Sequence, residues 1–294
     1  MSNAFDGKTL GVIGAGNMAE AIVQGVLDAG LIAPESIVAA DPDAARRAVF
    51  TKMDVTCGED NRAPAGCDVV LLAVKPQMMD VVLKPLADAF KPDALLISIA
   101  AGIGTERLAR LLPATVRIVR AMPNAPIMVG AGATAVSTGP RATERDVELA
   151  LHLFGGDGML AEAVEERHMD VITALSGSGP AYVYLLAEAL ADAATKLGLP
   201  AEQSARFAAA TIRGAGMNLV PSDSHPGPGV LCYVLAIPVE PTTDIPPAEL
   251  RRRVTSPGGT TAAAIDVFEK GDFRGLVARA VEAAAKRAEE LGRG

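Results

Sequence analysis

Residues 8–13 read K-T-L-G-V-I and run straight into Gly14-Ala15-Gly16-Asn17-Met18-Ala19, followed from Met18 to Ala29 by Ala, Ile, Val and Leu at helical spacing and a stop at Gly30. A buried strand delivered into G-x-G-x-x-A at the head of a helix constrains this chain more than any other feature. Gly14 permits a tight turn, Gly16 lets a pyrophosphate approach the backbone, and Ala19 allows close packing of helix on strand. The helix start then offers free N–H groups and a partial positive charge to an anion. A plain glycine turn would have the same letters. The strand before it and the helix after it are the context that turns the pattern into a dinucleotide fingerprint.

The rest of the first half repeats the unit. Strands are expected at 36–40, 69–74, 94–99, 116–120 and 131–137, with helices at 42–50 and 79–90. Apolar strands alternating with helices imply a parallel sheet covered on both faces. Beyond Thr143, which with Asp146 caps a helix reaching Phe154, glycines at 155–158 break the pattern and helices dominate. They are expected near 165–175, 180–197, 200–220, 247–254, 260–269 and 273–291. The fold class is therefore α/β: a doubly wound, Rossmann-type domain over residues 1–164, then an all-α domain over 165–294. Alanine-rich helices such as 180–196 and 204–215 are apolar on more than one face, so a homodimer at least is expected. Residues 221–247 hold seven prolines around an apolar run at 230–237 and stand apart from this plan.

Composition removes several function classes. A net charge of −8 argues against nucleic acid, which needs a concentrated basic face. No apolar run reaches the ~18 residues of a membrane span. Cys57, Cys67 and Cys232 share no metal or redox spacing and no signal pattern opens the chain, which together point to a reducing cytoplasm and no metal.

Open α/β sheets bind ligands outside the carboxyl ends of their strands. That edge should carry Ala73, Val74, Lys75 and Pro76, then Ala100, Ala101 and Gly102, then Met122-Pro123-Asn124. Asp41 ends the second strand, where a carboxylate can chelate ribose hydroxyls and select NADH; it can equally cap the next helix. Arg46 and Arg47 follow, suited to a 2′-phosphate. In the helical half, Ser176-Gly177-Ser178-Gly179-Pro180 launches one helix and Thr255-Ser256-Pro257-Gly258-Gly259-Thr260-Thr261 opens another. Two glycines before two threonines gather N–H and hydroxyl donors at a helix start, a receptor for a small carboxylate or an ordinary cap.

Together these segments resemble the pyrroline-5-carboxylate reductase family: G-A-G-N-M-A (14–19), A-V-K-P (73–76), S-I-A-A-G (98–102), R-A-M-P-N (120–124), S-G-S-G-P-A-Y (176–182) and V-T-S-P-G-G-T-T (254–261), in the family's order and over nearly the whole chain. The last is highly specific; the first is shared by many dehydrogenases. The resemblance implies reduction of L-1-pyrroline-5-carboxylate to L-proline, the last step of proline biosynthesis, by hydride transfer to the C=N carbon. It implies NADPH as cofactor, whereas Asp41 argues for NADH. It assigns Gly14 to Ala19, Asn61, Ala73 to Pro76 and Ala100 to Gly102 to the cofactor, and Ser176 with Gly258, Gly259, Thr260 and Thr261 to the substrate. Thr261 and Lys75 become the catalytic candidates. A dimer, or a decamer of dimers, is the implied assembly.

No strong histidine acid is required, because an imine nitrogen protonates readily. His152 and His168 suit surface or packing roles. The chain departs from the family in about twenty extra residues, roughly 227–247, which put in doubt the position of Asp223 and His225, and in Asp41, where many relatives are neutral or basic. A reductase for another imine or a 3-hydroxyacid, and a nucleotide-sensing protein without turnover, are the competing readings.

Overall fold

A computed structural model describes residues 4–156, 158–219 and 245–293. Eight strands form one sheet: β1 (Leu10–Ile13), β2 (Ile37–Ala40), β3 (Thr56–Gly58), β4 (Val69–Leu72), β5 (Leu95–Ser98), β6 (Arg117–Pro123), β7 (Ala133–Thr138) and β8 (Leu160–Ala163). Their order is β3-β2-β1-β4-β5-β6-β7-β8. The chain leaves β1 for β2 on one side and returns to β4 on the other, so a crevice opens above β1 at the switch of direction.

Every residue of β1, β4 and β5 is buried, as expected of strands covered on both faces. Side chains alternate between two cores. Leu10, Val12, Leu71, Leu95 and Ile97 join one with α1 (Asn17–Asp28), while Ile13, Val70, Leu72 and Leu96 join the other. Each such side chain contributes about 1.5–3 kcal/mol by leaving water. Helix α1 turns Ala19, Ile22, Val23 and Val26 inward, one stripe at helical spacing. Its end is set by Gly30, whose φ of +61° favours glycine.

The remaining helices of this half are α2 (Ala44–Thr51), α3 (Arg62–Ala65), α4 (Met79–Leu83), α5 (Thr105–Leu111), α6 (Glu144–Phe154) and α7 (Met169–Ile172). The capping box expected at Thr143 and Asp146 is present. Four features differ from the sequence reading. The helix at 79–90 shrinks to α4 and a 3-10 turn, Lys84–Leu86, because Pro85 supplies no N–H. Strands β3 and β8 were not expected; β3 is a three-residue edge strand and β8 exposes Leu160, Glu162 and Ala163, so neither has the buried run that marks a strand. β6 and β7 are antiparallel, because residues 124–132 are too few for the crossover of about a dozen or more that a parallel pair needs. The segment at 165–175 is a 3-10 turn (Glu166–His168), α7, and a π-helix (Thr173–Gly177).

The second half is helical: α8 (Gly179–Lys196), α9 (Ala201–Met217), α10 (Pro247–Arg253), α11 (Thr260–Lys270) and α12 (Phe273–Arg293). Helices α8 and α9 pack on each other, and the Phe268 and Phe273 rings lie 5.3 Å apart at the α11–α12 corner. By contacts, one compact unit runs up to Ser178 and includes the chain from Ala284 onward; the other is Gly179–Ala283. Residues 166–178 are grouped with the first unit because Glu166 and Asp170 pair with Arg120 of β6. The proline-rich segment, with Asp223, His225 and nearly all of the 227–247 insertion, lies outside the described residues.

Candidate active site

The fingerprint forms the turn its glycines suggest. Gly14 has φ +92°, and a Cβ there would stand 2.9 Å from the Ala73 carbonyl oxygen. The first two loops of the edge therefore touch at a position only glycine can occupy. Gly16, the N-cap of α1, has open space where a Cβ would be and offers no side-chain cap. A buried turn followed by an uncapped helix start, with room at its mouth, fits the pyrophosphate of a dinucleotide. Ala15 and Ala19 are buried, Met18 is half-buried and Asn17 is exposed beside the opening.

Asp41 does not cap the next helix. Its Oδ2 accepts the Ala15 N–H at 2.8 Å and its Oδ1 accepts the Asp43 N–H at 2.8 Å. The cap of α2 is Asp43, which accepts from Ala45, so the helix starts at Ala44 beyond Pro42. Asp41 instead ties the end of β2 to the fingerprint. Arg46 completes the tie: its Nε donates to the Ala15 carbonyl at 2.6 Å and its Nη2 pairs with Glu20 at 2.6 Å. Arg47 donates to the Asp41 and Pro42 carbonyls and pairs with Glu59 at 2.7 Å. Neither guanidinium is left without a carboxylate. Burial pushes the neighbouring Cys57 thiol up, with the Asp41 charge adding to the effect.

The other expected cofactor residues line the same edge. Ala73 and Val74 are half-buried after β4, Lys75 is exposed, and Pro76 begins a 3-10 turn. Ala100 is buried and Ala101 half-buried after β5. Gly102, at φ +76°, is crowded by the Ala288 carbonyl, 2.7 Å from where a Cβ would stand. Asn61 lies at the start of α3, just past β3, half-buried.

The β6 end carries more than was read from it. Asn124, nearly buried, donates to the Ser176 hydroxyl and carbonyl at 3.1 and 3.3 Å and accepts the Ala133 N–H at 2.8 Å. Four residues earlier, buried Arg120 pairs with Asp170 at 3.1 Å and with Glu166 at 3.7 Å. Glu166 also accepts from the Thr105 N–H and hydroxyl at 2.7 and 2.5 Å. These bonds hold residues 166–178 against the sheet and place half-buried Ser176 in the π-helix. An arginine inside an apolar strand and an amide at its end were the available signals.

In the helical unit, Gly258 has φ +71° and Gly259 is the N-cap of α11 with no side-chain cap. Gly259 donates to the Ser256 carbonyl at 3.1 Å and accepts from Ala263 at 3.2 Å. Thr260 is exposed and Thr261 half-buried on the first turn. The turn presents N–H groups and two hydroxyls, a geometry that attracts a carboxylate. His152 and His168 are exposed, His152 donating through Nδ1 to the Glu148 carbonyl in its own helix.

Comparison with known proteins matches this architecture. The family model described as pyrroline-5-carboxylate reductase dimerisation matches residues 166–291, and that described as NADP oxidoreductase, coenzyme F420-dependent, matches residues 9–102. The pyrroline-5-carboxylate reductase of Pisum sativum is 41% identical over 97% of both chains, and that of Pseudomonas aeruginosa 39% over 95% of both. Among solved structures, a pyrroline-5-carboxylate reductase from Coxiella burnetii is 36% identical, with a TM-score of 0.82 over 97% of this chain and 98% of its own. A pyrroline carboxylate reductase from Plasmodium falciparum with NADP bound has a TM-score of 0.79 at 29% identity over 98% and 99%. With a Rossmann-type first domain and a helical dimerisation domain, this chain belongs to the pyrroline-5-carboxylate reductase family.

Proposed function

We propose that the chain reduces L-1-pyrroline-5-carboxylate to L-proline with NADH or NADPH, as an oligomer whose unit is a homodimer. The observation that carries the reading is the specific turn at 254–261, folded as an uncapped helix start, in a chain that also builds the nucleotide turn at 14–19. The bound nicotinamide supplies the hydride that adds to the C=N carbon. Gly14, Ala15, Gly16, Asn17, Met18 and Ala19 hold the pyrophosphate on the N–H groups at the start of α1. Ala73, Val74, Lys75 and Pro76, with Ala100, Ala101, Gly102 and Asn61, hold the rest of the cofactor. Gly258, Gly259 and Thr260 bind the substrate carboxylate, and the Ser176 hydroxyl is a further substrate-binding group. The Thr261 hydroxyl, directly or through water, passes a proton to the ring nitrogen when the imine arrives neutral; an iminium needs none.

Cofactor choice turns on Asp41. Its oxygens each accept one N–H and retain capacity for ribose hydroxyls. Arg46 and Arg47 are engaged by Glu20 and Glu59, and the carboxylates around them oppose a doubly charged 2′-phosphate. NADH is therefore the preferred donor here, against the family's expected NADPH. Steady-state oxidation of each nucleotide with pyrroline-5-carboxylate tests both statements. Turnover with a higher kcat/KM for NADH supports them. Turnover that favours NADPH overturns the reading of Asp41, and no turnover from a folded, nucleotide-binding protein overturns the reductase.

A further inference from the structure

We infer that Asn124 is a positioning residue that fixes the polarity of the Ser176 hydroxyl, making it a hydrogen-bond donor to the substrate. The inference rests on the assignment of Ser176 to the substrate site. Hydrogen-bond chemistry carries the rest. The Ala133 N–H can only donate, so the Asn124 side-chain atom facing it at 2.8 Å must be the oxygen. That leaves the amide nitrogen facing Ser176, where the backbone carbonyl can only accept, at 3.3 Å. Both neighbours therefore agree on one orientation of the amide, with no flipped alternative. The Ser176 Oγ, 3.1 Å from the same nitrogen, is left as acceptor from Asn124. A hydroxyl has a single proton to give. With one of its two lone pairs taken by the Asn124 N–H, Ser176 has no acceptor in that nitrogen and turns its proton elsewhere, away from the strand.

The surroundings hold this arrangement still. Asn124 is 9% exposed and sits where β6 ends, between the start of β7 and the π-helix. Single π-helical turns recur at functional sites, where they re-aim a side chain. Arg120, on the same strand, pins Asp170 just before that turn. A donor hydroxyl suits either polar group of a cyclic imino acid, its carboxylate or its neutral ring nitrogen.

Asn124→Asp is the discriminating substitution. It keeps the size and the acceptor for Ala133, but replaces the donor with a second acceptor, so Ser176 turns its proton inward. The expected result is a rise of about 10-fold or more in KM for pyrroline-5-carboxylate in Asn124→Asp and in Ser176→Ala, the effect of losing a hydrogen bond to a charged group. Asn124→Ala, which removes the donor without adding charge, shows a smaller rise. Kd for NADH, read by nucleotide fluorescence, stays unchanged in all three. The double variant Ser176→Ala/Asn124→Asp is no worse than either single one, since both act through one hydroxyl. Additive losses, or a normal KM in Asn124→Asp while Ser176→Ala is impaired, overturn the positioning role and leave Ser176 in the site. A normal KM in Ser176→Ala overturns the assignment of Ser176 itself, and the inference with it.

Discussion

The sheet unit and the helical unit of this chain solve the burial problem in opposite ways. In the first, β1, β4 and β5 are wholly buried and two cores fill both faces. In the second, among described residues 179–283, only Ser204 and Ala208 are buried. Leu185, Phe207, Val267 and Leu276 are more than half exposed on helices α8, α9, α11 and α12. Exposed apolar surface on this scale marks an interaction site. The first unit is a core complete in one chain, while the second leaves apolar helix faces exposed, in keeping with the dimerisation family it matches.

Four substitutions test how far that contrast goes, beginning with the largest effect. Leu185→Glu puts a charge on the exposed apolar face of α8, where burial against a second copy would cost about 3–5 kcal/mol for each unpaired carboxylate. Light scattering should then give the monomer mass and turnover should fall to background. A dimer of unaltered affinity would mean that α8 faces solvent in the assembly. Gly14→Val acts only in the first unit. It combines a positive φ with a Cβ 2.9 Å from a backbone oxygen, strain of about 1–3 kcal/mol before the clash is counted. Calorimetry should show NADH binding weakened by about 100-fold with the dimer mass unchanged, a loss of roughly 2.7 kcal/mol. If the dimer falls apart as well, the two units are not energetically separate.

Thr143→Ala removes the capping box of α6 and should lower stability by about 1 kcal/mol. Its denaturation midpoint should drop by the same amount at every protein concentration, as fits a feature internal to one chain. The smallest effect concerns pH. Hydrogen bonds from Lys91 and from Thr9 hold the Asp68 carboxyl at about 2. Because the folded value is depressed, the stabilisation is present above the ordinary Asp value of about 3.9 and is lost as pH falls towards 2. The pair is partly exposed, so water screens it to a fraction of 1 kcal/mol. Asp68→Asn should flatten the acid limb of the stability curve between about pH 4 and pH 2. An unchanged limb would place the acid sensitivity elsewhere.

Legibility followed the same division. β1 and β4 could be read from four-residue runs without a polar side chain and β5 from Leu95-Leu96-Ile97, because strands buried on both faces are mostly apolar. β3 and β8, at the sheet's edges, could not, since exposed Thr56 and Glu162 look like loop. The reversal between β6 and β7 was hidden because strand direction is decided by connection length, and the limits of both strands were needed first. Pro85 was in plain view and its break in the helix was missed. At the candidate site, the glycine turn was legible because φ constrains residue type so strongly. Asp41 was not, because one carboxylate can cap, chelate or tether, and only the Ala15 N–H distinguishes them. Asn124 was placed at the edge, but its bonds were not legible because their partners lie 9 and 52 positions away.

The crowding of Gly102 by the last helix bears on how the chain is made. Ala288 and Leu291 belong to the first compact unit although nearly two hundred residues separate them from its loop. A nascent chain emerges N-terminus first at about 5–20 residues per second, so the nucleotide domain's strands are exposed to solvent well before its final piece exists. Its completion must await the synthesis of residues 284–293. A fragment ending at Ser178 would leave that surface bare, so a piece able to mature should need α12 as well as the strands.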